Sequence, residues 1–209
     1  MADDADAPAL PWLTPHGRPW RHDGPARPIH DNPWFAVEQY DATAPTGART
    51  PYYVQRFKNV ATGVLPLHED GTVTLVGQWR FPHADFVWEI PEGGAPKTET
   101  PLDGARRELR EEAGLEAAHW RRILKLQLSN ASSDEVAHGF LATGLTPVAA
   151  APEETEELAV ARVPFSEALH AAVTGRIVDA ITVAMLLRLH HMATEGELEP
   201  ALAQAVRAR

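Results

Sequence analysis

Residues 93–115, GGAPKTETPLDGARRELREEAGL, contain a helix whose two ends can be located from the sequence alone. Thr100 is a suitable N-cap, Pro101 suits the first helical position, and Asp103 can complete a start resembling a capping box. Gly114 suits the other end, because glycine adopts the left-handed backbone conformation without steric cost. The sequence therefore predicts a helix that begins at Pro101 and stops at Gly114.

The charges on this helix are separated by sign. On a helical wheel an apolar stripe of roughly 80° has three glutamates on one side and three arginines on the other. Glu108 and Glu112, spaced i and i+4, repel by a few tenths of a kcal/mol, so selection for stability alone would not favour them. A solvated charged face is one explanation. A divalent cation is the other, and the glycines before the helix favour it because they expose backbone oxygens beside the carboxylates. The glutamates are Glu108, Glu111 and Glu112, and the arginines are Arg106, Arg107 and Arg110.

Composition excludes several classes of protein. The chain has 209 residues, no cysteine and a formal net charge of −10. The missing cysteines exclude disulfides and thiolate metal sites and are compatible with a cytoplasmic location. The acidic balance argues against nucleic acid as a partner. Apolar stretches such as Ile181–Leu187 are too short to span a bilayer, so we expect no membrane partner.

Four segments are predicted along the chain. An N-terminal arm without a regular pattern is followed by a β-hairpin, whose turn lies at Ala44–Gly47, then by a domain that mixes strands and helices, then by a short tail. An apolar helix capped by Asp179 near the end of the domain is expected to be buried against the sheet or against a second subunit. The boundaries are 1–31 for the arm, 32–60 for the hairpin, 61–195 for the domain and 196–209 for the tail.

The stretch quoted at the outset resembles the Nudix box at every defined position. The box reads Gly, five residues, Glu, seven residues, then Arg-Glu-apolar-any-Glu-Glu-any-Gly-apolar. The matching positions are Gly93, Glu99, Arg107, Glu108, Leu109, Glu111, Glu112, Gly114 and Leu115. The resemblance implies an α/β fold, a Nudix α/β/α sandwich with a mixed central sheet, here preceded by a small N-terminal antiparallel sheet.

Two further segments are similar to the ADP-ribose and nucleotide-sugar pyrophosphatases of this family. They are Val76–Pro82 and Trp88–Gly93. The resemblance implies that Arg80 contacts the substrate, which suits the bidentate chemistry of a guanidinium group, although pairing with a surface acid is the alternative. Arg56 and Glu135 are weaker candidates for substrate binding. The implied substrate is a small molecule linked to a nucleoside diphosphate.

The resemblance also implies a metal site and a general base. Glu108, Glu111 and Glu112 are expected to bind Mg²⁺, or Mn²⁺, together with the backbone carbonyl of Glu92. The general base is expected among Glu154 and Glu156 of the acidic loop, with Glu111 as the alternative. The family's use of exchanged N-terminal strands implies a homodimer.

Two segments depart from the pattern of the ADP-ribose pyrophosphatases. Ser129-Asn130-Ala131 replaces their usual Ser-Pro-Gly, which leaves the sugar and the base open, and Glu92 replaces the alanine before the box glycine. Hydrolysis of nucleoside triphosphates or dinucleotides remains an alternative activity. A module that senses ADP-ribose without cleaving it is an alternative of another class, and the complete box argues against it.

Overall fold

The helix of the quoted stretch forms with both predicted ends. The computed structural model describes residues 10–151 and 155–207. In it, helix α1 spans Pro101–Ala113. The hydroxyl of Thr100 accepts a hydrogen bond of 3.2 Å from the backbone N–H of Asp103, and Gly114 has a left-handed φ of 61°. The predicted caps therefore account for where the helix begins and ends.

Eight strands precede α1 in the described part of the chain, three strands follow it, and three helices come last. The helices are α2 (Phe165–Val173), α3 (Ala180–Thr194) and α4 (Pro200–Arg207). The strands are β1 (Arg21–His22), β2 (Arg27–Asp31), β3 (Phe35–Thr43), β4 (Arg49–Phe57), β5 (Asn59–Pro66), β6 (Thr72–Arg80), β7 (Asp85–Glu89), β8 (Glu92–Pro96), β9 (Leu115–Gln127), β10 (Val136–Pro147) and β11 (Ala159–Pro164).

A mixed sheet lies at the centre of the molecule, with strand order β8-β5-β10-β9. Strands β5 and β10 run parallel, and the other pairs are antiparallel. Helix α1 covers one face through Leu109, which packs with Val64 and Phe140. On the opposite face, α3 packs with the sheet, α2 and α4. A second sheet, β11-β6-β7, is antiparallel. The predicted sandwich of helices around a mixed sheet is confirmed.

The predicted β-hairpin is confirmed, and its sheet is larger than predicted. Strands β3 and β4 pair from Phe35 with Phe57 to Thr43 with Arg49. Strands β1 and β2, which the sequence analysis placed in the patternless arm, pair with successive halves of β3. All residues of β2 are exposed, so no alternation of apolar residues marks the strand. Its formation depends on pairing with β3, which the local sequence does not show.

The segment expected to be a tail contributes a helix to the core. Ala203 and Val206 of α4 are buried in the main apolar cluster. The turn before β6 approaches α4 so closely that a Cβ on Gly71 would collide with the backbone carbonyl of Ala205. Helix α4 was missed because eight residues are too few for a clear helical period.

Helix α3 is buried on one side by its own chain, whereas Leu187 on the other side is 46% exposed. Met185, Leu186 and Leu189 are fully buried in the main apolar cluster. Burial against the sheet, one of the two predicted settings, is therefore confirmed. No helix in the described ranges has the length and apolar character needed to cross a membrane.

Candidate active site

A cavity of about 840 Å³ opens where the mixed sheet, α1 and the start of α3 meet. Its centre is lined by the α1 residues Arg107, Glu108 and Glu111. One end carries Trp34 and Phe57 from the N-terminal sheet, and the other end reaches Arg80 and Asp179. The cavity therefore has an end with aromatic side chains, a charged centre, and a polar end opposite the aromatic one.

Glu108 lies directly against Gly93 of strand β8. A Cβ on Gly93 would collide with the Glu108 carboxylate, so only glycine leaves room for that side chain. Glu108 is 8% exposed, and burial raises its pKa. Strand β8 and helix α1 together hold a carboxylate at the cavity wall in a setting that disfavours its charge.

Glu112 is a buried carboxyl of α1 whose pKa is strongly raised. It is 4% exposed, and burial raises its pKa to about 8, with Glu108 acting in the same direction. Its Oε2 accepts a hydrogen bond of 2.9 Å from the backbone N–H of Glu92. One backbone donor does not offset the burial of the charge, so the carboxylate form calls for a nearby cation.

Arg107 bridges the two charged sides of α1 that the sequence separates. Its Nη1 donates to Glu108 at 2.8 Å and to Glu111 at 3.0 Å. Its Nη2 donates to the carbonyl of Gly94 at 3.0 Å and lies 3.4 Å from Glu99. Arg107 therefore joins strand β8, the loop residue Glu99 and two helix carboxylates in one network.

Arg80 is held at the cavity by a buried acid rather than by a surface acid. Its Nη2 lies 2.5 Å from Oε1 of Glu89, and its Nε donates to Oε2 at 3.2 Å. Glu89 is 2% exposed and also accepts a hydrogen bond from Gln78 at 2.9 Å. This two-point contact fixes the plane of the guanidinium group, which is 36% exposed and lines the cavity.

Three carboxylates gather beside Arg80 that the sequence analysis did not connect. One oxygen each from Glu89, Glu92 and Asp179 lies within 4.8 Å of the others. The Glu92 side chain approaches Arg80 at 3.7 Å. Burial raises the pKa of Glu89 and raises that of Glu92 well above its ordinary value. The group can bind a cation, and Arg80 already supplies positive charge to two of its members.

The weaker candidates for substrate binding have different positions. Glu135 lines the cavity, and burial raises its pKa. Arg56 is instead engaged with Glu38 at 3.0 Å, with Asp134 at 3.5 Å and with the Tyr40 hydroxyl at 2.9 Å. The contacts of Arg56 thus hold the N-terminal sheet together and tie it to the loop before β10.

The acidic loop brings one of its two predicted bases to the cavity. Glu156 lines the cavity and raises the pKa of both Glu108 and Glu112, which places its charge near theirs. Glu154, the other candidate, lies outside the described residues. Of the two predicted bases, Glu156 is therefore the one whose position the structure describes.

Glu89 and Asp179 are the site residues that sequence reasoning missed. In the sequence, Glu89 lies in a segment that is similar to the nucleotide-sugar pyrophosphatases, and Asp179 is a predicted helix cap. Neither pattern by itself indicates a residue of the site. Asp179 does cap α3, accepting a hydrogen bond of 2.7 Å from the backbone N–H of Thr182. Both acids adjoin buried segments, where a charged side chain needs a partner, and this feature of the sequence could have identified them.

An acid-rich cleft between a glycine-containing edge strand of a mixed sheet and the helix that covers it indicates the class to which this molecule belongs. The NUDIX domain matches residues 57–181. The chain is 32% identical to the ADP-ribose pyrophosphatase of Mycobacterium tuberculosis over 170 residues, which cover 79% of this chain and 81% of that protein. The chain belongs to the NUDIX domain family, as its resemblance to the Nudix box implied.

Two other proteins show how far the similarity extends. The GDP-mannose pyrophosphatase of Yersinia enterocolitica is 29% identical over 167 residues, which cover 73% of this chain and 86% of that protein. A crystal structure of an ADP compounds hydrolase superposes with a TM-score of 0.77 at 19% identity, covering 88% of this chain and all of that one. The second likeness supports the fold alone.

Proposed function

We propose that this chain is a Nudix pyrophosphohydrolase that cleaves the pyrophosphate bond of ADP-ribose or a related nucleoside diphosphate sugar. The products are a nucleoside monophosphate and a sugar phosphate. The observation that carries the proposal is the cavity with its charged centre between two different ends. It joins the α1 carboxylates to the aromatic Trp34 and Phe57 on one side and to Arg80 on the other. Relatives named for ADP-ribose and for GDP-mannose support the same substrate class.

The residues of the charged centre fit a divalent metal ion. Glu108 and Glu112 are buried carboxylates, and the space beside Gly93 is kept free of any side chain. Carboxylate and carbonyl oxygens are the ligands Mg²⁺ prefers, so we assign Mg²⁺, or Mn²⁺, to Glu108, Glu111, Glu112 and the carbonyl of Glu92. Such an ion supplies neutralisation of the pyrophosphate charge and activation of water at neutral pH.

Other side chains of the cavity are assigned to accepting a proton from water and to binding the substrate. The attacking water must lose a proton as its oxygen joins phosphorus and the bridging P–O bond breaks. Glu156, near Glu108 and Glu112, is our candidate to accept that proton, with Glu154 and Glu111 as the alternatives. Arg80, fixed by Glu89, is placed to pair with a phosphate oxygen.

Substrate preference tests the proposed function directly. ADP-ribose or another nucleotide sugar is expected to exceed ATP in kcat/KM by at least about tenfold, equivalent to ~1.4 kcal/mol of transition-state binding, because both ends of the cavity contribute contacts. The measurement is a comparison of ADP-ribose, GDP-mannose, UDP-glucose, NADH, diadenosine polyphosphates and ATP with Mg²⁺. Faster cleavage of ATP than of every two-ended substrate contradicts the proposal.

The buried carboxyls predict how the metal-free protein responds to pH. Glu112 has its folded-state pKa raised to about 8, so its contribution to stability is complete at low pH and is lost as pH rises through that value. With metal chelated, the free energy of unfolding is expected to fall between about pH 5 and pH 8. Glu112→Gln removes the titrating carboxyl. The free energy of unfolding of this variant at pH 8 is therefore expected to exceed that of the wild type by on the order of 2 kcal/mol. Urea unfolding in EDTA across this range measures both, and a variant no more stable at pH 8 contradicts the expectation.

We further propose a homodimer that acts in the cytoplasm. The N-terminal sheet supports the dimer, because Ile29 and Tyr53 are each more than half exposed on it. A dimer is expected in light scattering at micromolar concentration, and a monomer there contradicts it. We assign neither nucleic acid nor membrane as a partner, which agrees with the net charge of −10.

A further inference from the structure

A second cavity lies beside the arginines of α1. It has a volume of about 570 Å³. Arg106, Arg107 and Arg110 line it from α1, and Glu116 and Trp120 line it from β9. We call it the arginine pocket. A cavity of this size can hold a small organic molecule, and its three guanidinium groups indicate an anionic one.

Two of the three arginines are free to serve a ligand of this pocket. Arg106 and Arg110 are spaced i and i+4, so their like charges destabilise the helix unless an anion lies between them. Both side chains are more than half exposed, and neither lines the main cavity. Among the residues that the structure describes, Arg106 donates to one carboxylate, that of Asp103 at 3.1 Å. Arg110 lies 3.9 Å from Glu116, which is beyond hydrogen-bonding distance.

Trp120 restricts the position of one of these guanidinium groups. Cζ of Arg106 lies over the indole ring, 5.9 Å from its centroid. The ring is itself held in place, because its N–H donates to the carbonyl of Ala117 at 3.1 Å and its edge meets Phe140 at a centroid distance of 6.5 Å. A donor that is already positioned loses less conformational freedom when a ligand binds.

The carboxylates of the pocket wall determine what kind of anion can bind. Arg107 donates to Glu111 at 3.0 Å, so these two charges largely offset each other. Glu116 competes with an anion for Arg110, but it is 58% exposed and forms no hydrogen bond with it. A phosphomonoester competes well, because it carries nearly two negative charges at pH 7 and three acceptor oxygens that match the guanidinium fork.

We propose that the arginine pocket is a binding site for a phosphomonoester dianion, held by Arg106 and Arg110 outside the catalytic cavity. The volume of the pocket leaves room for an organic group beside the phosphate. The site needs neither a metal ion nor the hydrolytic reaction, so it does not rest on the proposed function.

Titration calorimetry of the metal-free protein tests the proposal, in chloride buffer with EDTA at constant ionic strength. The charged probes are AMP, ribose 5-phosphate and inorganic phosphate, and adenosine is the uncharged probe. Arg106→Gln with Arg110→Gln is expected to weaken AMP binding by at least about tenfold, because two charge-assisted contacts are lost. Arg122→Gln with Arg176→Gln is the matched control, since it removes the same charge from two exposed arginines outside the pocket. The control is expected to stay within about twofold of wild type.

Glu116→Gln is expected to change the affinity in the opposite direction. It removes the carboxylate that competes for Arg110, so AMP is expected to bind about two- to fivefold more tightly. A general loss of structure cannot produce tighter binding. Thermal melting of each variant identifies any that fails to fold.

The outcomes distinguish binding in the pocket from attraction to charge alone. AMP binding that the Arg106 and Arg110 substitutions leave unchanged, or that the control weakens equally, overturns the proposal. Absence of binding by all three phosphate probes, or binding of adenosine as tight as that of AMP, also overturns it. Tighter binding of AMP and ribose 5-phosphate than of inorganic phosphate supports an ester ligand, and equal binding supports a site for the phosphate group alone. None of these measurements involves cleavage, so the proposed function stands or fails separately.

Discussion

Glu112→Gln is expected to lower turnover by at least about a hundredfold at saturating Mg²⁺, because a metal ligand loses its charge while its shape is kept. Glutamine retains an oxygen that can accept the hydrogen bond from the backbone of Glu92. The fold should therefore persist, and in the metal-free state the variant should be the more stable protein. Steady-state kinetics with ADP-ribose across a Mg²⁺ titration measures the loss.

A matched control lies just beyond the same helix. Glu116 is 58% exposed and faces Arg110 across 3.9 Å, so Glu116→Gln removes a charge from the same region without touching the cavity. Its turnover is expected to stay within about twofold of wild type. If Glu112→Gln keeps more than about a tenth of wild-type turnover, the assigned metal site is wrong.

Arg80→Met is expected to lower kcat/KM for ADP-ribose by about 10- to 100-fold and to destabilise the protein by about 2 kcal/mol. The first effect follows from the loss of a charged contact to phosphate. The second arises because Glu89, 2% exposed, would lose its cationic partner. Protonation of Glu89 limits the cost, since burial already raises its pKa. Kinetics and urea unfolding of the same preparation measure the two effects.

A second substitution separates the two roles of Arg80. In Arg80→Met with Glu89→Leu, the orphaned carboxylate is gone, so stability is expected to recover relative to Arg80→Met alone. The activity is not expected to recover, because no cation faces the phosphate. Recovery of both would show that Arg80 acts only as a structural partner of Glu89.

The parts of the fold that the sequence predicts are those with local signals. Helix α1 has a cap at each end, and the β3–β4 hairpin has residues of high β propensity clustered on both sides of a glycine-containing turn. Strand β8 has no such signal, because Glu92-Gly93-Gly94 gives it little β propensity and its formation depends on pairing with β5. Helix α4 is short and is stabilised by burial rather than by its own sequence.

The residues of the candidate site are likewise of two kinds: those that a local sequence pattern predicts and those that only the fold brings together. Glu108, Glu111 and Glu112 occupy one helix, so the spacing of the box is sufficient to assign all three to it. Asp179 lies far along the chain from Glu89, and only the packing of α3 against the sheet brings the two together. Arg56 was assigned to the substrate because it lies on a strand of the hairpin, and the sequence could not show that Glu38 and Asp134 occupy its donors.

The end of the cavity that carries Phe57 is built from two distant segments that are joined by hydrogen bonds. Gln55 of β4 donates its backbone N–H to Ser132 at 2.8 Å and accepts from the N–H of Asp134 at 3.1 Å. Asp134 also accepts from the backbone of Phe57 at 2.8 Å. Phe57 and Glu135, the residues that reach the cavity, adjoin these bonds. In a chimera of two Nudix proteins, the hairpin and the loop before β10 must therefore be exchanged together. If only one of the two segments were exchanged, the backbone hydrogen bonds between them would be mismatched.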